Sequence, residues 1–222
     1  ADVEAGLVAA LRGRDVRCRA ERIAVGGFDA ARTTLRTVVA DGGEVDAVVL
    51  AVGFGRAPEG AADGPSWRRL LDDHDGLPAR LLADAAWMRA VADHGAEAAH
   101  PVRFIGLVDA TTPGGKSRAQ AATQLSRAAR GATDDRVSAA IISVETADPA
   151  DHSAAAALVA HLVVGADTEA LSGAELCVGD GWIGLRSHPA PTATVNYGGP
   201  EIPGWLDEAL AALVGEAGTT RS

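Results

Sequence analysis

The chain has 222 residues, a formal net charge of −10 and a pI near 5.0. This acidic balance argues against non-specific nucleic-acid binding, because a phosphate backbone attracts cationic surfaces. The length corresponds to one large domain or two small ones, and with the 47% hydrophobic content it allows a sizeable buried core.

Cysteine and histidine usage predicts neither a disulfide framework nor a metal site. The chain has two cysteines, Cys18 and Cys177, and its six histidines form no His-x-x-x-His or Cys/His cluster. No apolar run reaches the roughly 18 residues of a membrane span, and no signal peptide opens the sequence. We therefore expect a reduced cytoplasmic protein that binds no membrane. Arginine supplies nearly all positive charge, since Lys116 is the only lysine, which is typical of high-GC bacterial genomes.

The predicted elements alternate between helix and strand from the first residues onward. Apolar residues recur at helical spacing over residues 3–13. A strand is predicted over Asp15–Val25, and a helix over Asp29–Ala40 with Asp29 near its N-cap. The continuous apolar run Val45–Val52 is typical of a strand buried on both faces of a parallel sheet.

The same alternation continues in the second half of the chain. It predicts an α/β protein with a doubly wound parallel sheet, three layers (α/β/α) and right-handed crossovers. The predicted elements are helices over Trp67–His94 (interrupted by Asp75-Gly76 and Pro78), Ser117–Arg130 and Ala155–Val164, and strands over Val102–Val108, Arg136–Val144 and Ala174–Val178.

The last part of the chain departs from this alternation. Residues 188–222 contain four prolines and then an amphipathic helix over Trp205–Val214 with one apolar stripe. We therefore divide the chain into a domain over residues 1–187 and a C-terminal extension over 188–222. The predicted helix either packs on its own domain, the reading we favour, or docks on a partner subunit.

Five strings, in order and at matching spacing, resemble the short-chain dehydrogenase/reductase (SDR) family. They are similar in turn to the family's fourth strand, the next helix, the catalytic helix, the strand after it and the last strand. The resemblance runs from about residue 3 to residue 184 and implies a Rossmann-like fold, although a fold does not carry its function with it. The strings are Val45–Gly53, Trp67–Gly76, Gln120–Ala129, Arg136–Ala140 and Leu171–Gly181.

The resemblance also implies where the family's catalytic residues would stand. Family members move a hydride between a nicotinamide cofactor and a carbonyl or alcohol, using Tyr, Lys, Ser and Asn. The matching positions hold Thr123 for Tyr, Arg127 for Lys, Ala110 for Ser and His74 for Asn. A threonine hydroxyl is too weak an acid to replace a phenol with a pKa of about 10, and arginine lacks the compact ammonium of lysine. Thr111, beside Ala110, replaces the serine only if the loop shifts.

The cofactor motifs of the family are also replaced. The family holds pyrophosphate on a Gly-rich turn before its first helix, and this sequence starts inside what resembles that helix. Leu50–Val52 stands where Asn-Asn-Ala would line the cofactor, and Ile142-Ser143 stands in place of Pro-Gly. We expect no cofactor, and NADP only if a Gly-rich turn precedes Ala1. The family's central first strand is expected before Ala1 or near Val16–Val25, because its loss leaves buried backbone donors unpaired.

Three functional hypotheses follow. The leading one is a non-catalytic subunit that supports an active SDR or ketoreductase in a homo- or hetero-oligomer, through helices 67–94 and 117–130 and the strand Ala174–Val178. The second is an NAD(P)-independent cyclase, dehydratase or isomerase of bacterial secondary metabolism. This enzyme would use a remodelled cleft formed by His74, Asp109, Thr111 and Arg127, with Thr123 alongside. The third hypothesis is a residual NADPH-dependent ketoreductase that uses Thr111.

Overall fold

The computed structural model describes residues 3–23, 26–52, 66–147, 149–165, 168–186 and 208. The chain divides into two compact units, residues 1–187 and 188–222, and every element below belongs to the first. The predicted helix Trp205–Val214 lies outside the described residues, apart from Glu208.

The described residues of the first unit form the following helices and strands. The helices are α1 (Val3–Arg12), α2 (Phe28–Gly42), α3 (Ser66–Asp73), α4 (Leu77–Glu97), α5 (Pro113–Ala132) and α6 (Pro149–Val164), with a 3-10 turn at Thr168–Leu171. The strands are β1 (Ala47–Leu50), β2 (Val102–Asp109), β3 (Val137–Val144), β4 (Glu175–Gly179) and β5 (Trp182–Arg186).

The five strands form one sheet in the order β1-β2-β3-β4-β5. The first four strands are parallel, and β2 and β3 pair over eight residues, from Val102↔Val137 to Asp109↔Val144. The α/β class and the parallel sheet predicted from the sequence are confirmed. No helix among the described residues combines the length and the apolarity needed to cross a membrane.

Alternating side chains of the central strands pack into two separate hydrophobic cores, one on each face of the sheet. Phe104 and Ile141 point to the face covered by α2, α4 and α5. Ile105 and Ile142 point to the opposite face, covered by α1 and α6. Removing each such side chain from water stabilises the fold by about 1.5–3 kcal/mol. Helices on both faces of the sheet give the predicted three layers.

The strand predicted over Asp15–Val25 is not formed in its described part. Residues 16–23 lie outside the sheet, and their charged side chains form surface ion pairs such as Arg19–Asp41 and Arg22–Glu4. A strand requires a neighbour for its backbone groups, and among the described strands β1 pairs with β2 alone. Val16–Ile23 therefore does not replace the family's first strand.

Strand β5 was not predicted. It pairs antiparallel with β4, and the two are joined by Asp180 and Gly181, whose φ angles are 42° and 78°. Two consecutive residues with positive φ give the tight hairpin for which Asp-Gly is a preferred pair. Gly76, with φ 69°, likewise separates α3 from α4, at the interruption that the sequence predicts within Trp67–His94.

Candidate functional site

The carboxyl ends of the parallel strands are where ligands bind in open α/β sheets. Helix α5 begins at this edge, because only residues 110–112 separate it from β2. The Thr112 hydroxyl accepts a hydrogen bond from the Gly115 N–H at 3.2 Å, and Pro113 stands in the first turn. This N-cap and N-terminal proline start the helix four residues before the predicted Ser117.

The first turn of α5 is in direct backbone contact with its neighbours. A Cβ atom on Gly115 would lie 2.2 Å from the Asp109 carbonyl oxygen, and a Cβ on Gly114 would lie 2.4 Å from that of Asp73. Only glycine allows such an approach. The start of α5 therefore fills the space directly above the carboxyl end of β2.

His74 joins the end of α3 to α5. Its Nδ1 lies 2.8 Å from the Leu70 carbonyl oxygen, and its Nε2 lies 3.1 Å from the Ser117 hydroxyl. The neighbouring Asp73 carboxylate accepts a hydrogen bond from the Gly114 N–H. These contacts fix the position of the imidazole relative to the first two turns of α5.

A buried ion pair covers the carboxyl end of β1. Arg118 on α5 donates from Nε and Nη2 to the two carboxylate oxygens of Asp84 on α4, at 2.8 and 2.7 Å. Both residues are only 4% exposed. The third guanidinium nitrogen donates to the Val52 carbonyl. The gap around this pair, against Leu50 and Phe104, is too small to hold a water molecule.

A second polar cluster, Ser143, Glu175, Cys177 and Arg186, lies between β3, β4 and β5. Ser143 donates to Glu175 at 2.8 Å and lies 3.3 Å from the Cys177 sulfur, and Arg186 donates to Glu175 at 3.0 Å. Burial raises the pKa of the Cys177 thiol above its ordinary value, and the hydrogen bond from Ser143 opposes this shift. The thiol is therefore protonated at neutral pH and is a poor nucleophile.

Glu145, Glu175 and Cys177 bring three potential ligand atoms within 4.8 Å of one another. Arg186, however, forms ion pairs with both carboxylates, and Lys116 lies 3.6 Å from Glu145. Two cations already balance the two anions, and a metal would also require the thiolate. The cluster is better described as a salt-bridge network that ties α5 to the β4–β5 hairpin.

The structure brings some of the sequence-predicted site residues together and separates others. His74, Ala110 and Asp109 lie around the first turns of α5, where Asp109 accepts hydrogen bonds from the backbone and hydroxyl of Thr111 at 3.1 and 2.6 Å. Arg127 donates to the Gly173 carbonyl at 2.9 Å, beside the amino end of β4 and therefore at the opposite edge of the sheet.

Thr123 is also absent from the carboxyl edge. It lies in the middle of α5, is 3% exposed, and its hydroxyl donates to the Ala119 carbonyl at 2.8 Å. A cleft that unites Arg127 with His74 and Asp109 is therefore not formed.

Two residues at this edge were not predicted as site residues. Thr112 and Lys116 are four residues apart in the first turns of α5, the spacing of the family's Tyr and Lys. A helix that crosses back over a parallel sheet starts at the carboxyl edge, so only its first turns can present side chains there. Two features of the sequence could have indicated this turn: the Thr112-Pro113 pair that begins the helix, and Lys116, the single lysine of the chain.

Solved structures with the same fold include several dehydrogenases and reductases. A short-chain dehydrogenase from Mycobacterium avium aligns with a TM-score of 0.67 and 19% identity over 92% of this chain and 75% of its own. An NADPH-dependent 3-quinuclidinone reductase from Rhodotorula rubra aligns with a TM-score of 0.53 and 15% identity, covering 80% and 76%. A halohydrin dehalogenase bound to ethyl (2S)-oxiran-2-ylacetate aligns with 0.52 and 12%, covering 83% and 84%. No protein-family model matches the chain, and no curated protein matches it significantly. The chain thus has an SDR-like fold.

Proposed function

We propose that this chain is an SDR-like subunit that does not transfer hydride itself and that supports an active, related partner. The observation that carries the proposal is that, among the described residues, the carboxyl ends of β1 and β2 are covered. Gly115 brings α5 into backbone contact with the end of β2, and the Asp84–Arg118 pair fills the crevice at the end of β1. In the SDR family, which the sequence resembles, the two matching strand ends line the cofactor and substrate sites.

The acid required for hydride chemistry also has no counterpart in the first turns of α5. Thr112 stands there, and its hydroxyl oxygen is used to cap the helix. Lys116 is the cation four residues later, and its ammonium lies beside Glu145. The single tyrosine of the chain, Tyr197, lies outside the described residues. A lysine without an adjacent phenol has nothing to activate as a general acid.

Titration of the full chain with NADPH in a calorimeter should give no binding heat above dilution. The physical reason is that Arg118 and the start of α5 occupy the strand ends over which a nicotinamide would lie. An intact SDR, titrated under the same conditions, provides the positive control. Micromolar binding by this chain would show an open crevice and would support the residual reductase instead.

The partner surface is proposed on α3 and the adjoining turn of α4. Helix α3 is strongly amphipathic and has no buried residue, so its apolar stripe faces outward. Leu71 is 64% exposed and Leu82 on α4 is 70% exposed. Exposed apolar side chains grouped in this way are typical of contact surfaces. They lie within the helices 67–94 that the sequence assigns to a partner, whereas the exposed side of α5 is mostly polar or small. The exposed large apolar residues of this surface are Trp67, Leu70, Leu71 and Leu82.

Leu71→Glu should abolish co-purification of the chain with an SDR-type subunit from the native host. A carboxylate in the centre of an apolar contact loses its hydration without gaining a partner. Because Leu71 is exposed, the free energy of unfolding should change by no more than about 0.5 kcal/mol. Val164→Glu, an exposed position on α6 at the opposite face of the sheet, is the matched control and should leave the complex intact. A wild-type chain that purifies strictly alone contradicts the subunit role.

A second candidate, an enzyme that needs no nicotinamide cofactor, is favoured by one observation. His74 is held at the carboxyl edge with one ring nitrogen directed at a hydroxyl group. The dehalogenase among the structural neighbours illustrates that this fold is not restricted to dehydrogenases and reductases. The predicted cleft would then use His74 with Ser117 in place of Arg127.

A further inference from the structure

Ser117 and His74 have the relative geometry of a nucleophile and its general base. The Ser117 oxygen lies 3.1 Å from His74 Nε2, within hydrogen-bonding distance. On its other side, the imidazole is held by the Leu70 carbonyl, 2.8 Å from Nδ1. The Leu70 carbonyl is thus the third group, which orients the base. Serine-dependent acyl transfer uses a nucleophile, a base and an orienting group in this order.

The hydrogen-bond partners determine the tautomer of the imidazole. A carbonyl oxygen can only accept, so the ring proton of neutral His74 is on Nδ1 and is donated to Leu70. Nε2 then carries the lone pair and accepts the hydroxyl proton of Ser117. This is the protonation state that a general base requires before the reaction.

A second contact joins the elements that carry the pair. His74 directly follows α3, and the Asp73 carboxylate accepts a hydrogen bond from the Gly114 N–H in the first turn of α5. His74 and Ser117 are both half-buried, so the oxygen is neither sealed in the core nor freely rotating in solvent. They meet where the end of α3 contacts the second turn of α5, at the carboxyl edge of the sheet.

We propose that Ser117 and His74 form a catalytic dyad that accepts acyl groups from small esters or thioesters. The Ser117 oxygen attacks the acyl carbonyl while His74 Nε2 takes the hydroxyl proton. The bond from the carbonyl carbon to the leaving oxygen or sulfur then breaks, and His74 returns the proton to that leaving group. Water, activated by the same nitrogen, later cleaves the serine ester to give the carboxylic acid and free Ser117.

Positive charge at this end of α5 favours the oxyanion that forms during the attack. The N-terminal end of the helix dipole supplies it, whereas the Lys116 ammonium is paired with Glu145. The dyad needs no nicotinamide and is independent of the subunit role, because a chain without hydride transfer can still carry an acyl group.

The test uses p-nitrophenyl acetate with the purified full chain. The wild type should release a burst of p-nitrophenol and gain one acetyl group, which peptide mapping places on Ser117. Ser117→Ala should eliminate that acetyl group, and His74→Gln should slow acetylation of Ser117 by about 100-fold or more. Ser153→Ala, an exposed serine on α6 at the opposite face, should behave as the wild type.

Two further variants separate chemistry from folding and from background acylation. Ser117→Cys keeps a nucleophile and should be acylated in a His74-dependent way, whereas a purely structural serine gains nothing from the thiol. Lys116→Arg removes the only lysine side chain that the ester could label. Acetylation that avoids Ser117, or that proceeds on Ser117 equally fast in His74→Gln, overturns the dyad. Neither result bears on NADPH binding or co-purification, which test the subunit role.

Discussion

Asp84→Ala should destabilise the protein by about 3–5 kcal/mol, because it leaves the Arg118 guanidinium buried without its counter-ion. Arg118 would keep one acceptor, the Val52 carbonyl, and lose two hydrogen bonds to a carboxylate. Denaturant unfolding followed by circular dichroism measures the change as a shift of the midpoint at constant slope. The loss is large for a domain whose total stability is of the order of 5–15 kcal/mol.

Replacing both members of the pair distinguishes the burial of a charge from the loss of packing. The double variant Asp84→Leu/Arg118→Met fills a similar volume without charge and should recover most of the lost stability, since buried ion pairs are often no better than well-packed apolar residues. Arg69→Met, at an exposed position of α3, serves as the control for removing an arginine elsewhere. A cost below about 1 kcal/mol for Asp84→Ala would mean that water reaches the guanidinium, as it does for surface pairs. The crevice at the end of β1 would then be open, and the strongest argument against a bound cofactor would fail.

The central strands of the sheet could be predicted from the sequence because they are buried on both faces. Val102–Asp109 and Val137–Val144 are predominantly apolar, and the structure pairs them residue by residue. The segment Asp15–Val25 has apolar residues among charges, but a strand is defined by its neighbour as well as its composition. Strand β5 could have been found, because Asp180-Gly181 directly follows an apolar strand and precedes another short apolar run.

The site was less predictable, because its residues meet through packing between helices. Thr123 and Arg127 were placed by the similarity of local strings, which contain no information about which edge of the sheet a turn of α5 reaches. The Thr112 cap and Pro113 show that the helix starts early, and this moves both residues away from the carboxyl edge. The contact between His74 and Ser117 spans 43 positions of sequence and depends on how α3 meets α5, so no pattern within either helix encodes it.

Gly115→Ala should cost about 3 kcal/mol or more, the upper part of the range for overpacked sites. The added methyl group would lie 2.2 Å from the Asp109 carbonyl oxygen and 3.0 Å from the Ala110 Cα, and neither backbone atom can move by a change of rotamer. Relief requires α5 to shift away from the end of β2. The measurement is again denaturant unfolding, with a crystal structure of any variant that folds.

Gly131→Ala provides the matched control within the same helix. A Cβ at Gly131 meets nothing within 4 Å, so the substitution should stabilise the protein by about 0.5–1 kcal/mol through the helical preference of alanine. Opposite signs for the two substitutions would establish that Gly115 is required for contact and not for flexibility. Helix N-termini over parallel strands commonly receive anionic ligands, whereas here the glycine lets the helix backbone rest on the strand itself. If Gly115→Ala were as harmless as Gly131→Ala, α5 would have room to move, and the covered end of β2 could open to admit a ligand.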